Sequence, residues 1–208
     1  MFLKVDPNNP APRHLKIIID KLKEGGVIIY PTDTVYAAGC DLNNKKAIEK
    51  LAKITGKKAK QDHFSLICSD LSSISNYTVP FENRKYKLMK KLLPGPVTFI
   101  LKTNSKVPKL FNNQKKTIWI RIPDHPVPKA IVEALGNPLI TTSLPHDEDE
   151  ILKYHTDPDE IYEQYKNKAD LIINGGTGSN VGSSVVDCSN EDISVIRDNR
   201  GIAEVLPE

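Results

Sequence analysis

Cysteine is scarce in this chain, with three residues among 208. Cys40, Cys68 and Cys188 lie far apart and form no Cys-x-x-Cys pair. This spacing argues against a disulfide framework and against a zinc ribbon, and it favours a reducing compartment. The N-terminal segment has no apolar core followed by small residues, so a secretory signal peptide is not expected. The expected location is therefore the cytoplasm.

Long hydrophobic runs are also missing. The longest apolar stretches, such as residues 27–30, last only a few residues, so no membrane-spanning segment is expected. Neither sign of charge is in large excess, because 29 basic and 26 acidic side chains leave a net charge of +3. An anion-binding role would therefore depend on local clusters of lysine or arginine.

Familiar catalytic signatures are absent from the sequence. It contains no Gly-x-x-x-x-Gly-Lys-Ser/Thr loop and no Gly-x-Ser-x-Gly nucleophile elbow. The five histidines show no metal-ligand spacing, and the acidic stretch 146–160 is expected to be a solvated loop rather than a metal site. We therefore expect no catalytic nucleophile and no metal ligands.

Helical and strand-like patterns alternate along the chain. Helical spacing predicts helices over residues 15–22, 45–55, 82–93 and 128–135, and Asp157-Pro158 predicts the start of another. Strands are predicted at 27–30, 64–68, 97–101, 117–122, 138–142, 171–173, 184–186 and 193–197. Short connections between the late strands imply antiparallel pairing among them. The sequence thus predicts one α/β domain over residues 1–208 with a mixed sheet.

Hydroxyl and arginine side chains recur at the ends of predicted strands and, for Thr117 and Arg121, on the polar side of the alternating strand 117–122, which also carries Trp119. The residues are Thr32, Thr34, Thr117, Arg121, Thr141, Ser143, Ser183, Ser184 and Arg197. In α/β sheets ligands bind in crevices beyond the strand ends, and these groups hold phosphate or carboxylate oxygens well. One shared pocket for such oxygens is expected, with separate surface hydrogen bonds as the alternative.

Two lysine clusters add local positive charge. They are Lys53, Lys57, Lys58 and Lys60 after the second helix, and Lys85, Lys87, Lys90 and Lys91 before Pro94. Solvated helix faces are the ordinary interpretation of such clusters. The alternative is a cleft for ATP phosphates or for an RNA backbone.

Several blocks of the sequence resemble the YrdC-like family, in the order in which that family has them. They include GGVIIYPTDTVYAAGCD, FSLICSDLS, PGPVTFIL, TIWIRIPDHP, PLITTS, SSVVD and VIRDNRG. The SDLS and KLMKKLLPGP blocks are most similar to the family's YciO-type branch. The resemblance covers nearly the whole chain, with a core at about residues 12–201.

The resemblance implies a twisted sheet with a deep basic cavity and a nucleotidyltransferase activity. Family synthases join L-threonine, bicarbonate and ATP into threonylcarbamoyl-AMP and pyrophosphate, the first step of the tRNA threonylcarbamoyladenosine modification. This chemistry depends on positioning and charge, which fits the absence of a catalytic nucleophile. Mg²⁺ is expected to offset the phosphate charge of ATP.

Carried over position by position, the resemblance implies two sets of binding residues. The set for L-threonine is Thr34, Arg121, Thr141 and Ser183, with Arg121 on the carboxylate. The set for ATP is Lys57, Lys58, Thr117, Ser143 and Arg197.

The chain departs from the synthase pattern at several positions. The lysine and arginine that follow the second helix in the synthases fall at Gly56 and Lys58, with Lys57 between them. Lysine keeps the charge but not the planar fork of arginine. Pro145 stands where the synthases have asparagine, and Ala37–Ala38 replaces Gly-Leu in the opening block. A lost contact of this kind costs about 1–3 kcal/mol.

These departures leave other functions open. One alternative is a paralogue without synthase activity that binds nucleotides, tRNA or double-stranded RNA in the same cavity. Another is the handling of a different acyl-adenylate or of carbamoyl phosphate, because related domains occur in carbamoyl-transfer proteins.

Overall fold

The protein is described by a computed structural model at residues 1–56, 64–107, 116–144 and 154–205. Over these residues the strands are β1 (Phe2–Lys4), β2 (Ile28–Tyr30), β3 (Ala37–Asp41), β4 (Ser65–Ile67), β5 (Val97–Lys102), β6 (Thr117–Arg121), β7 (Leu139–Ser143), β8 (Leu171–Asn174), β9 (Ser184–Asp187) and β10 (Ser194–Arg197). The α-helices are α1 (Pro12–Lys23), α2 (Lys45–Ile54), α3 (Leu71–Ser75), α4 (Asn83–Leu92), α5 (Pro126–Leu135) and α6 (Pro158–Tyr165), followed by a 3₁₀ turn at Ala203–Val205. Within these ranges no helix is long and apolar enough to span a bilayer.

The strands form one sheet in the order β1-β8-β2-β3-β7-β4-β6-β5-β9-β10. Parallel pairs join β8 to β1 and to β2, β4 to β6, and β5 to β9. The remaining neighbours pair antiparallel, including β9 with β10 near the end of the chain. The predicted mixed α/β sheet is confirmed.

Helices pack on both faces of the sheet. Helices α2, α3, α4 and α6 bury residues such as Ile48, Leu88 and Ile161 against one face. Helices α1 and α5 cover the opposite face, where Ile18 and Ile131 pack on β8, β2, β3 and β7. Because α1 and α5 cover only part of that face, the strands beyond them can line a cavity.

Local sequence explains where several helices begin. The Asp157 side chain accepts a hydrogen bond from the Asp159 backbone, as expected for the start of α6. Helix α5 begins at Pro126, two residues before the predicted start, because His125 caps it through Nδ1 with the Val127 N–H as donor. The sequence patterns did not predict β1, β3 or α3.

Candidate active site

A cavity of about 350 Å³ lies on the face of the sheet that α1 and α5 cover in part. Ala37 and Ile67 contribute both to the α1/α5 core and to the cavity wall, so the two adjoin. The volume is within the range of small-molecule sites, about 300–1,000 Å³. The described lining residues are Thr32, Thr34, Val35, Ala37, Ser65, Ile67, Thr98, Trp119, Arg121, Thr141, Thr142, Ser143, Tyr154, Gly182, Ser183 and Arg197.

Arg121 is a buried cation in the wall of this cavity. It stands on β6, where alternate residues point into the core, so that its side chain faces the opposite side of the sheet. Its Nη2 donates to Asp33 Oδ1 at 2.7 Å, and its Nη1 donates to Thr34 Oγ1 at 3.0 Å. Burial lowers the pKa of the Arg121 guanidinium, while the Asp33 carboxylate opposes this shift. Since arginine has five N–H donors, others remain available to a ligand.

The threonines after β2 form a directional chain of hydrogen bonds that starts at Arg121. Thr32 Oγ1 donates to the Val35 carbonyl at 2.7 Å and lies 3.1 Å from Thr34 Oγ1. Because the only proton of the Thr32 hydroxyl is used on Val35, Thr34 must donate to Thr32. The Thr34 hydroxyl therefore acts toward a ligand as an acceptor.

Ser183 links two further residues of the cavity. Its Oγ lies 2.8 Å from Thr98 Oγ1, and its carbonyl accepts from Arg197 Nε at 3.0 Å. Arg197 Nη2 is also 3.4 Å from Ser183 Oγ. The two guanidinium groups are close enough that the charge of Arg197 contributes to lowering the pKa of Arg121. This end of the cavity is therefore cationic and suited to carboxylate or phosphate.

The loop between β8 and β9 places Ser183 by docking on the β2–β3 turn. The Ser179 N–H donates to the Thr34 carbonyl at 3.1 Å, and the Tyr36 hydroxyl donates to the Gly176 carbonyl at 2.7 Å. A Cβ at Gly178 would lie 2.7 Å from the Tyr36 ring, so glycine is required there. Burial raises the pKa of Tyr36 to about 12, which keeps its hydroxyl a donor.

The other end of the cavity is neutral over the described residues. Ser65, Trp119 and Thr141 stand side by side on neighbouring strands β4, β6 and β7. Thr141 Oγ1 accepts from the buried Tyr30 hydroxyl and donates to the Ala38 carbonyl, each at 2.9 Å. Its proton is therefore used within the protein, and toward a ligand Thr141 is an acceptor only.

Asp198 fixes the turn that follows Arg197 at the rim of the cavity. Its Oδ1 accepts from Ser184 Oγ at 3.1 Å and from the backbone N–H groups of Arg200 and Ile202 at 3.2 and 3.0 Å. The carboxylate thus joins the start of β9 to the end of β10, the two points that hold Ser183 and Arg197.

These hydrogen bonds predict an acid-sensitive contribution to stability. Backbone donors, led by Ile202, lower the pKa of Asp198 from 3.8 to about 2. Because the folded pKa is the lower one, the stabilisation is complete above about pH 4 and is lost as pH falls toward 2. In urea unfolding, Asp198→Asn should have a lower midpoint at pH 7 and a smaller loss of stability between pH 4 and 2. Parallel pH curves for the two proteins would contradict this role.

Comparison with known proteins places the chain in a family. The model of the Sua5/YciO/YrdC family, described as "telomere recombination", matches residues 20–199. The chain belongs to the Sua5/YciO/YrdC family. Over 208 residues it is 37% identical to the uncharacterized protein YciO of Escherichia coli (strain K12), with 99% of this chain and 98% of the relative covered. The crystal structure of E. coli YciO superimposes with a TM-score of 0.91 at 35% identity, covering 100% of this chain and 99% of the other.

Some relatives of this chain are named as synthases. The threonylcarbamoyl-AMP synthase of Coxiella burnetii (strain RSA 493 / Nine Mile phase I) is 31% identical over 157 residues, or 76% of this chain and 82% of the relative. The structure of P. abyssi Sua5 complexed with L-threonine gives a TM-score of 0.85 at 20% identity, covering 95% of this chain and 57% of the other. At that identity the likeness shows a shared fold.

In this Sua5/YciO/YrdC member, most of the predicted binding residues lie around one cavity. The structure brings together Thr34, Arg121, Thr141, Ser143, Ser183 and Arg197. Thr117 shares their face of β6 and is buried, but it is not among the lining residues. Lys57, Lys58 and Pro145 lie outside the described residues. The ligand contacts of all nine binding residues remain predictions.

Three residues that shape the site were not predicted as part of it, namely Asp33, Ser65 and Thr98. Trp119 was expected on the polar side of its strand but was not assigned to the site. It alternates with the core residues Ile118 and Ile120, which places it on the same face as Arg121. Thr98 likewise alternates with the core residues Val97 and Phe99, and this pattern predicts a side chain on the cavity face.

The described lining does not fit a metal held by the protein. It contains hydroxyls and guanidinium groups but no carboxylate, and no metal-binding cluster of histidine, cysteine, aspartate or glutamate occurs elsewhere in the described ranges. Mg²⁺ prefers carboxylates together with substrate phosphates. We therefore treat Mg²⁺ only as a counterion of ATP.

Proposed function

We propose that this protein is a threonylcarbamoyl-AMP synthase-type nucleotidyltransferase, which converts ATP, L-threonine and bicarbonate into threonylcarbamoyl-AMP and pyrophosphate. Its product would supply the threonylcarbamoyladenosine modification of tRNA. The observation that carries the proposal is the buried Arg121, held by Thr34 and Asp33 beside Arg197 and Ser183 in one cavity. Relatives named as threonylcarbamoyl-AMP synthases support the same activity.

The cationic end of the cavity suits a free amino acid. Arg121 has unused N–H donors for the carboxylate, and its Nε is buried without a partner in the described part of the chain. The Thr34 hydroxyl accepts toward the ligand, so an amine N–H of threonine can donate to it. Ser183 lines the same cavity, is hydrogen-bonded to Thr98, and completes the polar wall.

The proposed reaction needs these positions rather than a nucleophilic side chain. The threonine amine attacks the carbon of bicarbonate, and loss of water leaves an N-carboxylate. An oxygen of this carbamate attacks the α-phosphorus of ATP, and the bond to the β-phosphate oxygen breaks as pyrophosphate leaves. Burial raises the pKa of the Cys68 thiol to about 12, so this residue stays protonated at neutral pH and supplies no nucleophile to the reaction.

Positive charge would stabilise the transferring phosphate. Arg197 is held at the rim by Ser183, in a position to contact the α-phosphate oxygens beside the amino acid. Ser143 lines the neutral end of the cavity and is proposed as a further ATP contact. Lys57 and Lys58 are proposed to bind the β- and γ-phosphates. The charges would hold substrate and phosphate in an arrangement that favours in-line attack.

Pyrophosphate release tests the proposal. We expect release by the purified protein only when ATP, L-threonine and bicarbonate are present together, with a known family synthase as positive control. Omission of any one substrate should reduce release to background. No release under conditions in which the control synthase is active would contradict the proposed activity.

One observation favours a second candidate, a paralogue that binds ligands without turnover. Ala37 lines the cavity where the synthase motif has glycine, so its Cβ narrows the site. Such a protein would bind ATP, tRNA or double-stranded RNA without releasing pyrophosphate. Binding of either RNA should then weaken steeply as salt is raised from 50 to 200 mM, and salt-independent or absent binding would exclude this RNA-binding function.

A further inference from the structure

Trp119 is the only tryptophan in the chain, and it lies in the cavity. On β6 it stands two residues before Arg121, so both side chains point to the same face of the sheet. Its neighbours across the sheet are Ser65 on β4 and Ile100 on β5. The side chain is partly exposed, whereas Arg121 is buried.

The cavity therefore has two chemically different ends. Arg121 and Arg197 make one end cationic, and Trp119 with Ser65 makes the other aromatic and neutral over the described residues. Residues two apart in a strand are separated by about 6.6 Å, a length comparable to the ribose between a nucleobase and its α-phosphate. A nucleotide has the same division, with a flat neutral base at one end and anionic phosphates at the other.

We infer that Trp119 is the nucleobase-stacking residue of this site and sets the orientation of ATP. This inference rests on the proposed function and adds a specificity residue to it. With the base on the indole ring, the ribose spans the distance along β6 and the α-phosphate comes next to the amino acid at Arg121. Stacking on an aromatic ring recognises the flat face of a base rather than its hydrogen-bonding edge.

The test uses the tryptophan fluorescence of the full-length protein, excited at a wavelength that its seven tyrosines do not absorb, so that the emission reports on Trp119. ATP should change the emission, whereas inorganic tripolyphosphate, which has phosphates but no base, should bind without that change. Trp119→Leu should weaken ATP binding by about tenfold or more in calorimetry. Trp119→Phe keeps a ring and should stay within about threefold of the unmodified protein.

The urea unfolding midpoint serves as the control for folding in both variants, and their L-threonine binding should be unchanged. ATP binding with unchanged emission, and with equal affinity in Trp119→Leu, would overturn the role of Trp119 while leaving the proposed function intact. If the unmodified protein bound no ATP at all, both the proposed function and this inference would be wrong. Loss of L-threonine and ATP binding together in a folded Trp119→Phe would also overturn the specific role in base stacking.

Discussion

Replacing Arg121 by alanine is expected to lower the affinity for L-threonine at least thirtyfold, or by about 2 kcal/mol or more. The guanidinium is buried in the cavity wall, and it is oriented by Asp33 and Thr34 before any ligand arrives. Arg121→Lys should bind with intermediate affinity, because lysine keeps the charge but loses the planar fork. Calorimetry with L-threonine measures both effects. An exposed α4 variant, Lys87→Ala, is the matched control and should bind normally.

Loss of folding must be separated from loss of binding in this experiment. Arg121→Ala leaves the Asp33 carboxylate buried without its partner, which destabilises the protein by itself. The double variant Asp33→Ala/Arg121→Ala removes both charges and should unfold at a urea concentration closer to that of the unmodified protein. It should still fail to bind L-threonine. Normal L-threonine binding by this folded double variant would show that the carboxylate of L-threonine contacts another part of the protein.

Asp33→Asn is expected to destabilise the free protein by about 3 kcal/mol, the lower end of the range for breaking a buried ion pair. The side chains of Asp33 and Arg121 are 9% and 10% exposed, so water replaces little of the lost interaction. Asparagine keeps one oxygen that can accept from Arg121, so the loss in free energy of unfolding should lie at the lower end of that range. Urea unfolding measures it, with the exposed Asp192→Asn as control.

The same variant also probes the ligand. The carboxylate of L-threonine can supply the negative charge that Asp33→Asn removes, so L-threonine should stabilise this variant more than the unmodified protein. The measurement is the shift in unfolding midpoint at one L-threonine concentration. Equal shifts for the two proteins would show that the L-threonine carboxylate does not bind beside Asp33.

Elements with a clear side-chain alternation were predicted well from sequence, and β6 is the best example. Ile118 and Ile120 pack in the core, and Trp119 and Arg121 take the opposite face as the pattern indicates. Strand β3 was not predicted, because it is rich in small residues and buried on both faces, which removes the alternation. Helix α3 has only five residues, too few for a periodic signal.

The contacts that orient the site could not be predicted from local patterns. Asp33 and Arg121 are 88 residues apart, and their ion pair depends on how the turn after β2 folds back over β6. The contact between Thr98 and Ser183 depends on the parallel register of β5 and β9, which no short motif encodes.

Helical periodicity corrects one expectation about charge. The ordinary interpretation placed Lys85 on a solvated face, but it is buried and donates to the Asn190 carbonyl. It lies three and four residues before the core residues Leu88 and Met89, so it shares their side of α4. The helical spacing of Lys85 from Leu88 and Met89 therefore predicts a side chain that faces the core, although the surrounding lysines favour a solvated face.

The most direct test of the shared site is a crystal structure with L-threonine, bicarbonate and α,β-methylene-ATP, whose methylene bridge blocks pyrophosphate release. We expect the threonine carboxylate at about 3 Å from the Arg121 guanidinium. We also expect the α-phosphate beside the amino acid and the base against Trp119. L-threonine or the nucleotide bound on another face of the sheet, with this cavity empty of both, would contradict the shared site.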